Sequence, residues 1–265
     1  MTDPIPLKTD RAPLQSAALQ CRNMIAVASG KGGVGKTWFS ITLCHALARQ
    51  GKKALLFDGD LGLANVDIQL GISPEKDLGA VVEGSASLAS AVTPYKEGGF
   101  DILAGRSGSG NLATLASQKI SELRNDLIAV ARNYDIVVVD LGAGVERPVR
   151  QMAGPAAITL VVVTDEPTSL TDAYAFIKLA RAANPTADMR IVVNMAANNL
   201  DGQKTFETIR KAAENFLHYD PPLAGIIRRD TKVRDAIRAQ TALLTRSPLS
   251  EAAADVESIA AQLRF

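Results

Sequence analysis

The sequence predicts an α/β fold, a doubly wound and mainly parallel sheet flanked by helices. Three observations predict it. Strand-like and helix-like segments alternate almost from end to end; several strand segments are unbroken apolar runs, such as Ile136–Val139 and Leu160–Val163; and the first strand leads through a glycine-rich loop into a helix. A strand covered by helices on both faces has no solvent side, so it loses the apolar/polar alternation of a half-exposed strand. Strand–helix alternation of this kind implies parallel connections. Ligands of such sheets bind beyond the carboxyl ends of the strands, where helix N-termini converge.

Taken in order, Met24–Ser29 reads as a strand and Gly35–Gln50 as a helix with Phe39, Leu43 and Leu47 on one face. Lys53–Asp58 and Asp101–Ala104 are strands, and Ile120–Arg132 is a helix leading into the strand Tyr134–Asp140. Ala156–Thr164 is a strand followed by a helix over Leu170–Ala182. Arg190–Asn194 and Ala224–Ile227 close the strand series, with helices near Gln203–Leu217, Thr231–Ala239 and Ser250–Leu263. The segment Gly105–Gly110 is loop chemistry just after a strand, where it could line a site.

Composition narrows the class. The chain has 265 residues, with 29 Lys+Arg against 28 Asp+Glu and a net charge of +1. That balance excludes a polycation and fits one large domain with a substantial core. Cys21 and Cys44 are too few for a disulfide framework, and no C-x-x-C offers a zinc or iron–sulfur site. No apolar run approaches the ~20 residues of a membrane helix. Residues 1–23 carry Asp3, Asp10 and three prolines without an apolar block, so they read as a flexible leader and not as a secretory signal. Residues 24–265 read as one domain, and the protein as cytoplasmic.

The chemistry concentrates in Gly30-Lys31-Gly32-Gly33-Val34-Gly35-Lys36-Thr37, a G-x-x-x-x-G-K-T run between a strand and a helix. Glycines let the backbone curl so that successive N–H groups face phosphate oxygens, where a Cβ would block the approach. The helix N-terminus adds partial positive charge. Lys36 is placed for the β- and γ-phosphates, and the Thr37 hydroxyl for magnesium. Lys31 is an extra cation. Leaving the loop so early, it points away from its own phosphates, either into solvent or toward a nucleotide on a facing subunit, where it would offset the repulsion of two triphosphates.

Acidic residues follow at the strand ends. Asp58 and Asp60 end the second strand, and Asp140 ends the apolar run Ile136–Val139, facing magnesium through water. Gly142-Ala143-Gly144 follows directly and can swing an N–H onto a γ-phosphate. Asn194 ends another strand, where its paired donor and acceptor suit adenine, and equally suit a cap or turn. The run Arg228–Arg238 is locally basic. Arg234 and Arg238 share a helical face, which reads as solvated, with DNA-phosphate contact as the alternative.

The loop Lys-Gly-Gly-Val-Gly-Lys-Thr resembles the deviant Walker A motif of the MinD/ParA class of ATPases, in which the first lysine crosses a dimer interface. The resemblance spans about Met24 to Pro248 and implies a MinD-like P-loop fold, ATP and magnesium as ligands, and a homodimer in the ATP state. The stretch Phe57–Asp67 is similar to the family's switch I. It implies that Asp60 positions the attacking water, that Asp58 is a structural or metal-proximal partner, and that Asn65 and Asp67 face the dimer. The family also favours the adenine role for Asn194. On this basis Lys31, Lys36 and Asp60 are the expected catalytic residues. Gly30 through Thr37, Trp38, Asp140, Gly142 and Asn194 are expected to bind nucleotide, and Thr37, Asp58, Asp60 and Asp140 to sit around the metal.

Three stretches, Leu103–Gly108, Asp140–Val145 and Thr164–Ala175, look more like the FlhG (FleN) regulators of flagellar number and placement than like MinD. They imply a slow ATPase, stimulated or read by a protein partner such as a flagellar GTPase or regulator, with Glu166 near the interface. The alternatives are a ParA- or MinD-type positioning ATPase that binds DNA or membrane nonspecifically, and an amide-forming ligase of the same superfamily. There are departures. Trp38 stands where the family has a small or polar residue, suiting either packing or stacking near the nucleotide. Arg228 and Arg229 replace a proline-containing loop beside the base. Family members end in a basic, membrane-targeting helix, whereas Glu251, Asp255 and Glu257 make this one acidic, so packing on the domain is the expectation, with peripheral attachment at the inner membrane or a cell pole as the alternative. Asp10–Gln15 faintly echoes a partner-stimulating element of the FlhG leader.

Overall fold

The computed structural model describes residues 21–60, 62–105 and 115–264. The leader to position 20 with its Asp10–Gln15 element, Leu61, the loop residues 106–110 and Phe265 therefore lie outside the described residues. In chain order the strands are β1 (Cys21–Ser29), β2 (Ala54–Gly59), β3 (Thr93–Tyr95), β4 (Phe100–Leu103), β5 (Ile136–Ala143), β6 (Ala156–Val163), β7 (Asp188–Ala196) and β8 (Leu223–Arg228). The helices are α1 (Lys36–Arg49), α2 (Val66–Leu70), α3 (Leu78–Val82), α4 (Ser117–Ala131), α5 (Arg147–Ala153), α6 (Pro167–Ala183), α7 (Asn199–Leu217), α8 (Thr231–Arg238), α9 (Leu243–Arg246) and α10 (Glu251–Gln262).

All eight strands form one sheet in the order β3-β4-β2-β5-β1-β6-β7-β8. Every pairing is parallel except β3 with β4 at the edge. The antiparallel edge strand carries Pro94, which an edge tolerates because one of its sides needs no ladder donor. The central strands are buried on both faces. In β1, Ile25 and Val27 join a core with α1, α9 and α10, while Met24, Ala26 and Ala28 join a core with α4, α5, α6 and α7. That is why the apolar runs lack a polar phase.

One boundary differs from expectation in a useful way. β1 begins at Cys21, inside the expected leader, because the Cys21 amide donates to Pro155 O and Asn23 Nδ2 donates to Ala131 O and Tyr134 O at 2.9 and 2.8 Å. α10 buries Ala252, Ala253, Val256, Ile259 and Ala260 against α1 and β8, so the acidic C-terminal helix does pack on the domain. Among the described residues no helix is long and apolar enough to cross a membrane.

Candidate nucleotide site

The sheet winds one way from β1 to β2 and the other way from β1 to β6, with β5 inserted between β1 and β2. The loops after β1, β2 and β5 therefore meet at one edge, the switch point at which doubly wound sheets bind ligands. The loop after β1 is residues 30–35. Gly33 and Gly35 have φ of 81° and 88°, the left-handed region that glycine enters without strain. At Gly30 an added Cβ would lie 2.2 Å from the Asp172 main chain, and at Gly35 it would lie 2.5 Å from Asn194 Nδ2. The loop is thus pressed against α6 and β7, and Gly32 and Val34 continue the same turn into α1.

Lys36 starts α1 only 8% exposed. Burial lowers its pKa, and the Asp140 and Asp60 carboxylates oppose that shift. Asp140 is fully buried within β5, which runs on to Ala143 where the sequence suggested that the strand ends at the aspartate. Its Oδ1 accepts from Ser40 Oγ at 2.8 Å, and its Oδ2 is buried with no hydrogen-bond partner. Burial pushes Asp140 up to about 6, against the pull of the Thr37 and Ser40 hydroxyls and the Lys36 charge. An orphaned carboxylate oxygen beside a threonine hydroxyl at a phosphate loop fits a hydrated magnesium ion, which keeps waters and takes few protein ligands.

Asp58 does something else. Asp58 Oδ1 accepts from the Asp60 amide at 3.3 Å, and Oδ2 from the Asn65 and Val66 amides, each at 3.1 Å. Of the two roles the sequence left open, these bonds favour the structural one: Asp58 shapes the loop that carries Asp60. Burial and the neighbouring Asp140 charge push it up to about 8. Among the described residues no three Asp, Glu, His or Cys side chains converge as a metal cage. Asp58, Asp60 and Asp140 therefore form no such cage, and Thr37 with Asp140 are the pair whose chemistry fits the ion.

Asp60 Oδ1 accepts from the Leu63 and Gly62 amides at 3.0 and 3.3 Å, and among the described residues none donates to Oδ2. Gly142 lies directly against it, since a Cβ there would be 3.3 Å from Asp60 Oδ1. Beyond it, Gly144 has φ of 110° and its amide donates to Ser29 O at 3.0 Å.

Lys31 leaves the loop as expected but does not end in solvent. Its Nζ pairs with Glu166 Oε2 and donates to Thr168 Oγ1 at 2.9 Å, at the start of α6 in the same chain. Nothing local announces this contact, because the partners lie 135 and 137 residues apart.

Beside the loop lies a cavity of about 380 Å³ bounded by Gly35, Trp38, Asn194, Met195, the Arg228–Asp230 turn and one face of α8. Asn194 reaches it, but Nδ2 donates to Val34 O at 2.7 Å and Oδ1 accepts from the Met195 amide at 2.9 Å. Its amide braces the phosphate loop against β7, so the structure does not single it out as the base reader expected from sequence. Trp38 is buried against the α1 core and also lines the cavity, so packing and proximity to the nucleotide both hold. Arg228 is not a free basic residue either: its guanidinium grips Asp255 and Glu251 of α10. Sequence reasoning missed Met195, held at φ 59°, and Ser40, which sits one turn beyond Thr37 on α1.

Comparison with known proteins fits this geometry. Residues 25–243 match the CobQ/CobB/MinD/ParA nucleotide binding domain. The Antiactivator FleN of Pseudomonas aeruginosa is 36% identical over 246 residues, 93% of this chain and 88% of FleN. The Flagellum site-determining protein YlxH of Helicobacter pylori is 30% identical over 244 residues, 90% of this chain and 81% of YlxH. Among solved structures, MinD in the MinC:MinD complex of Aquifex aeolicus superposes with a TM-score of 0.75 at 27% identity, covering 91% of this chain and 94% of that one. With its glycine-lined loop, buried Lys36 and orphaned Asp140 at the switch point, the chain belongs to the CobQ/CobB/MinD/ParA nucleotide-binding family of P-loop ATPases.

Proposed function

We propose that this protein is a magnesium-dependent ATPase that dimerises face to face around two ATP molecules, hydrolyses them slowly, and regulates flagellar number or placement as FleN- and YlxH-like proteins do. The observation that carries the reading is the pairing of two lysines in one loop. Lys36 is buried beneath the phosphate cradle, and Lys31 points out of it to the surface contact with Glu166 and Thr168. The flagellar assignment rests on the extent of similarity to FleN and YlxH.

In this reading the loop amides and Lys36 hold the β- and γ-phosphates, and Thr37 and Asp140 hold a hydrated magnesium ion. The ion, when bound, neutralises charge that develops on the phosphate oxygens. Asp60 Oδ2 accepts a hydrogen bond from the water in line with the γ-phosphate, while its Oδ1 stays on the Gly62 and Leu63 amides. Lys31 leaves Glu166 to reach the second subunit's triphosphate. A protein partner speeds turnover or reads the dimer, as MinC engages MinD in the Aquifex complex. Binding to DNA through Arg228 is disfavoured, since its guanidinium is spent on α10.

Calorimetry with ATP and magnesium, followed by sedimentation, tests the reading. The wild type and Asp60→Ala are expected to bind ATP, with Asp60→Ala remaining dimeric, and Lys36→Ala to bind none. An ATP-loaded Asp60→Ala protein that sediments as a monomer would refute the dimer.

A further inference from the structure

Three residues of α1, Thr37, Ser40 and Thr42, put their hydroxyls to different uses. Thr42 Oγ1 turns back along its own helix and donates to Trp38 O at 2.8 Å. That is an ordinary outlet for a hydroxyl inside a helix, because the carbonyl four residues back lies within reach. Ser40 takes another course. Its Oγ crosses to the sheet and donates to Asp140 Oδ1 at 2.8 Å. A hydroxyl has one proton, so the carbonyl of Lys36, four residues back, does not receive it. Ser40 and Asp140 are both 0% exposed, so bulk water does not compete for the bond. Thr37 lies three positions earlier on the same face of the helix.

Packing does not account for this serine. Its neighbours along α1, Phe39, Ile41 and Leu43, are apolar and belong to the core, and an alanine would fill the place without needing a hydrogen-bond partner. The carboxylate does account for it. The terminal torsion of an aspartate is broad and roughly two-fold, so a carboxylate that nothing holds can exchange its two oxygens. With Ser40 fastened on Oδ1 that exchange is stopped, and Oδ2 is the oxygen that stays without a hydrogen-bond partner. Carboxylates that serve a metal site are themselves held by hydrogen bonds, and losing such an outer partner weakens metal binding by about 10–100-fold.

We propose that Ser40 is a positioning residue for magnesium: its hydroxyl fixes Asp140 through Oδ1, keeps Oδ2 for the hydration shell of the ion, and so sets how tightly the ion is held beside a bound nucleotide. Ser40 itself has no exposed surface and acts only through the aspartate. The inference rests on the magnesium site proposed above and names the group that tunes it.

The test is calorimetry of ADP binding in magnesium and in EDTA, on wild type, Ser40→Ala and Ser40→Cys. Manganese in place of magnesium lets the bound ion be counted by electron paramagnetic resonance, and ADP keeps turnover out of the comparison. Ser40→Ala is expected to match wild type within about two-fold in EDTA and to bind ADP about ten-fold more weakly in magnesium, with manganese affinity falling by the same factor. Ser40→Cys keeps a similar volume and a weaker donor, so its loss should be smaller; it carries the same comparison should the alanine variant fail to fold. Full retention of the magnesium gain in Ser40→Ala overturns the proposal. So does an equal loss in EDTA and in magnesium, which would make Ser40 a support of the phosphate loop alone. A wild type whose ADP affinity gains nothing from magnesium would instead overturn the metal site on which the inference rests.

Discussion

Replacing Glu166 with alanine should make ATP-dependent dimerisation easier. In the single chain Lys31 Nζ is committed to Glu166 and Thr168, and the side chains of the ion pair are 35% and 60% exposed. A pair so exposed contributes about 0.5–1 kcal/mol, well below a buried one. A dimer in which each Lys31 crosses to the other subunit must break two such pairs, at a combined cost of about 1–2 kcal/mol. Removing Glu166 abolishes that cost in advance, so the dimer dissociation constant should fall roughly five- to thirty-fold. The measurement is sedimentation equilibrium with ATP and magnesium in an Asp60→Ala background, which holds turnover aside. High salt should narrow the difference between the parent protein and its Glu166→Ala variant, because screening weakens the pair in the parent. Thr168→Val should act in the same direction with a smaller effect. A dimer that is unchanged or weaker in Glu166→Ala would refute the reasoning, because Glu166 would then be no competitor for the lysine.

Gly30→Ala should destabilise the fold by about 1–3 kcal/mol in thermal melts, more than Gly33→Ala, because its methyl would sit 2.2 Å from the Asp172 main chain, whereas at Gly33 a methyl meets no atom and costs only the strain of φ 81°. Asn194→Ala should cost about 1–3 kcal/mol of stability by stranding Val34 O and the Met195 amide, yet leave the ratio of ATP to ITP affinity unchanged; a shifted ratio would restore it as the base reader. His45 is buried beside Phe100 with Nδ1 unpartnered, and burial, helped by the Arg49 charge, lowers it to about 4. The unfolded chain takes up that proton near pH 6.5 and the native chain only near 4. Stability should therefore fall as pH drops through that window, by about 1–3 kcal/mol, and His45→Leu should flatten the slope in urea melts at about pH 4.5, 6 and 7.5.

What the sequence disclosed was whatever is local. The strands announced themselves because burial on both faces leaves a continuous apolar signature, and the phosphate loop because its glycines, lysine and threonine must be contiguous. Segments too short to show a period escaped. α2, α3, α5 and α9 run four to seven residues, less than the two turns over which an apolar stripe becomes visible, and β3 has three residues. Side-chain direction was equally hidden. Asn194 was read as the end of its strand, but β7 runs on to Ala196, and only coordinates reveal that its amide turns back to Val34. Lys31 stood out as an odd cation, but its partner is fixed by how α6 packs beside the loop.

The two loops that flank the γ-phosphate position are held very differently, and that difference says which one can respond to nucleotide. The loop after β2 is anchored by three amide bonds to Asp58 and two to Asp60, and further on by Gln240 Nε2 donating to Ile68 O at 3.0 Å. Asp60 is therefore in place without any ligand to order it. The end of β5 carries Gly142, and the turn beyond it carries Gly144, whose amide donates to Ser29 O at 3.0 Å. An incoming γ-phosphate that recruits the Gly144 N–H has its bond to Ser29 O to replace and a glycine to absorb the change in φ and ψ. Under the proposed function the movement would be carried by the turn at Gly144 against a fixed Asp60, so that loss of the γ-phosphate would alter the surface around α5 while the carboxylate proposed to orient water stays where Asp58 put it.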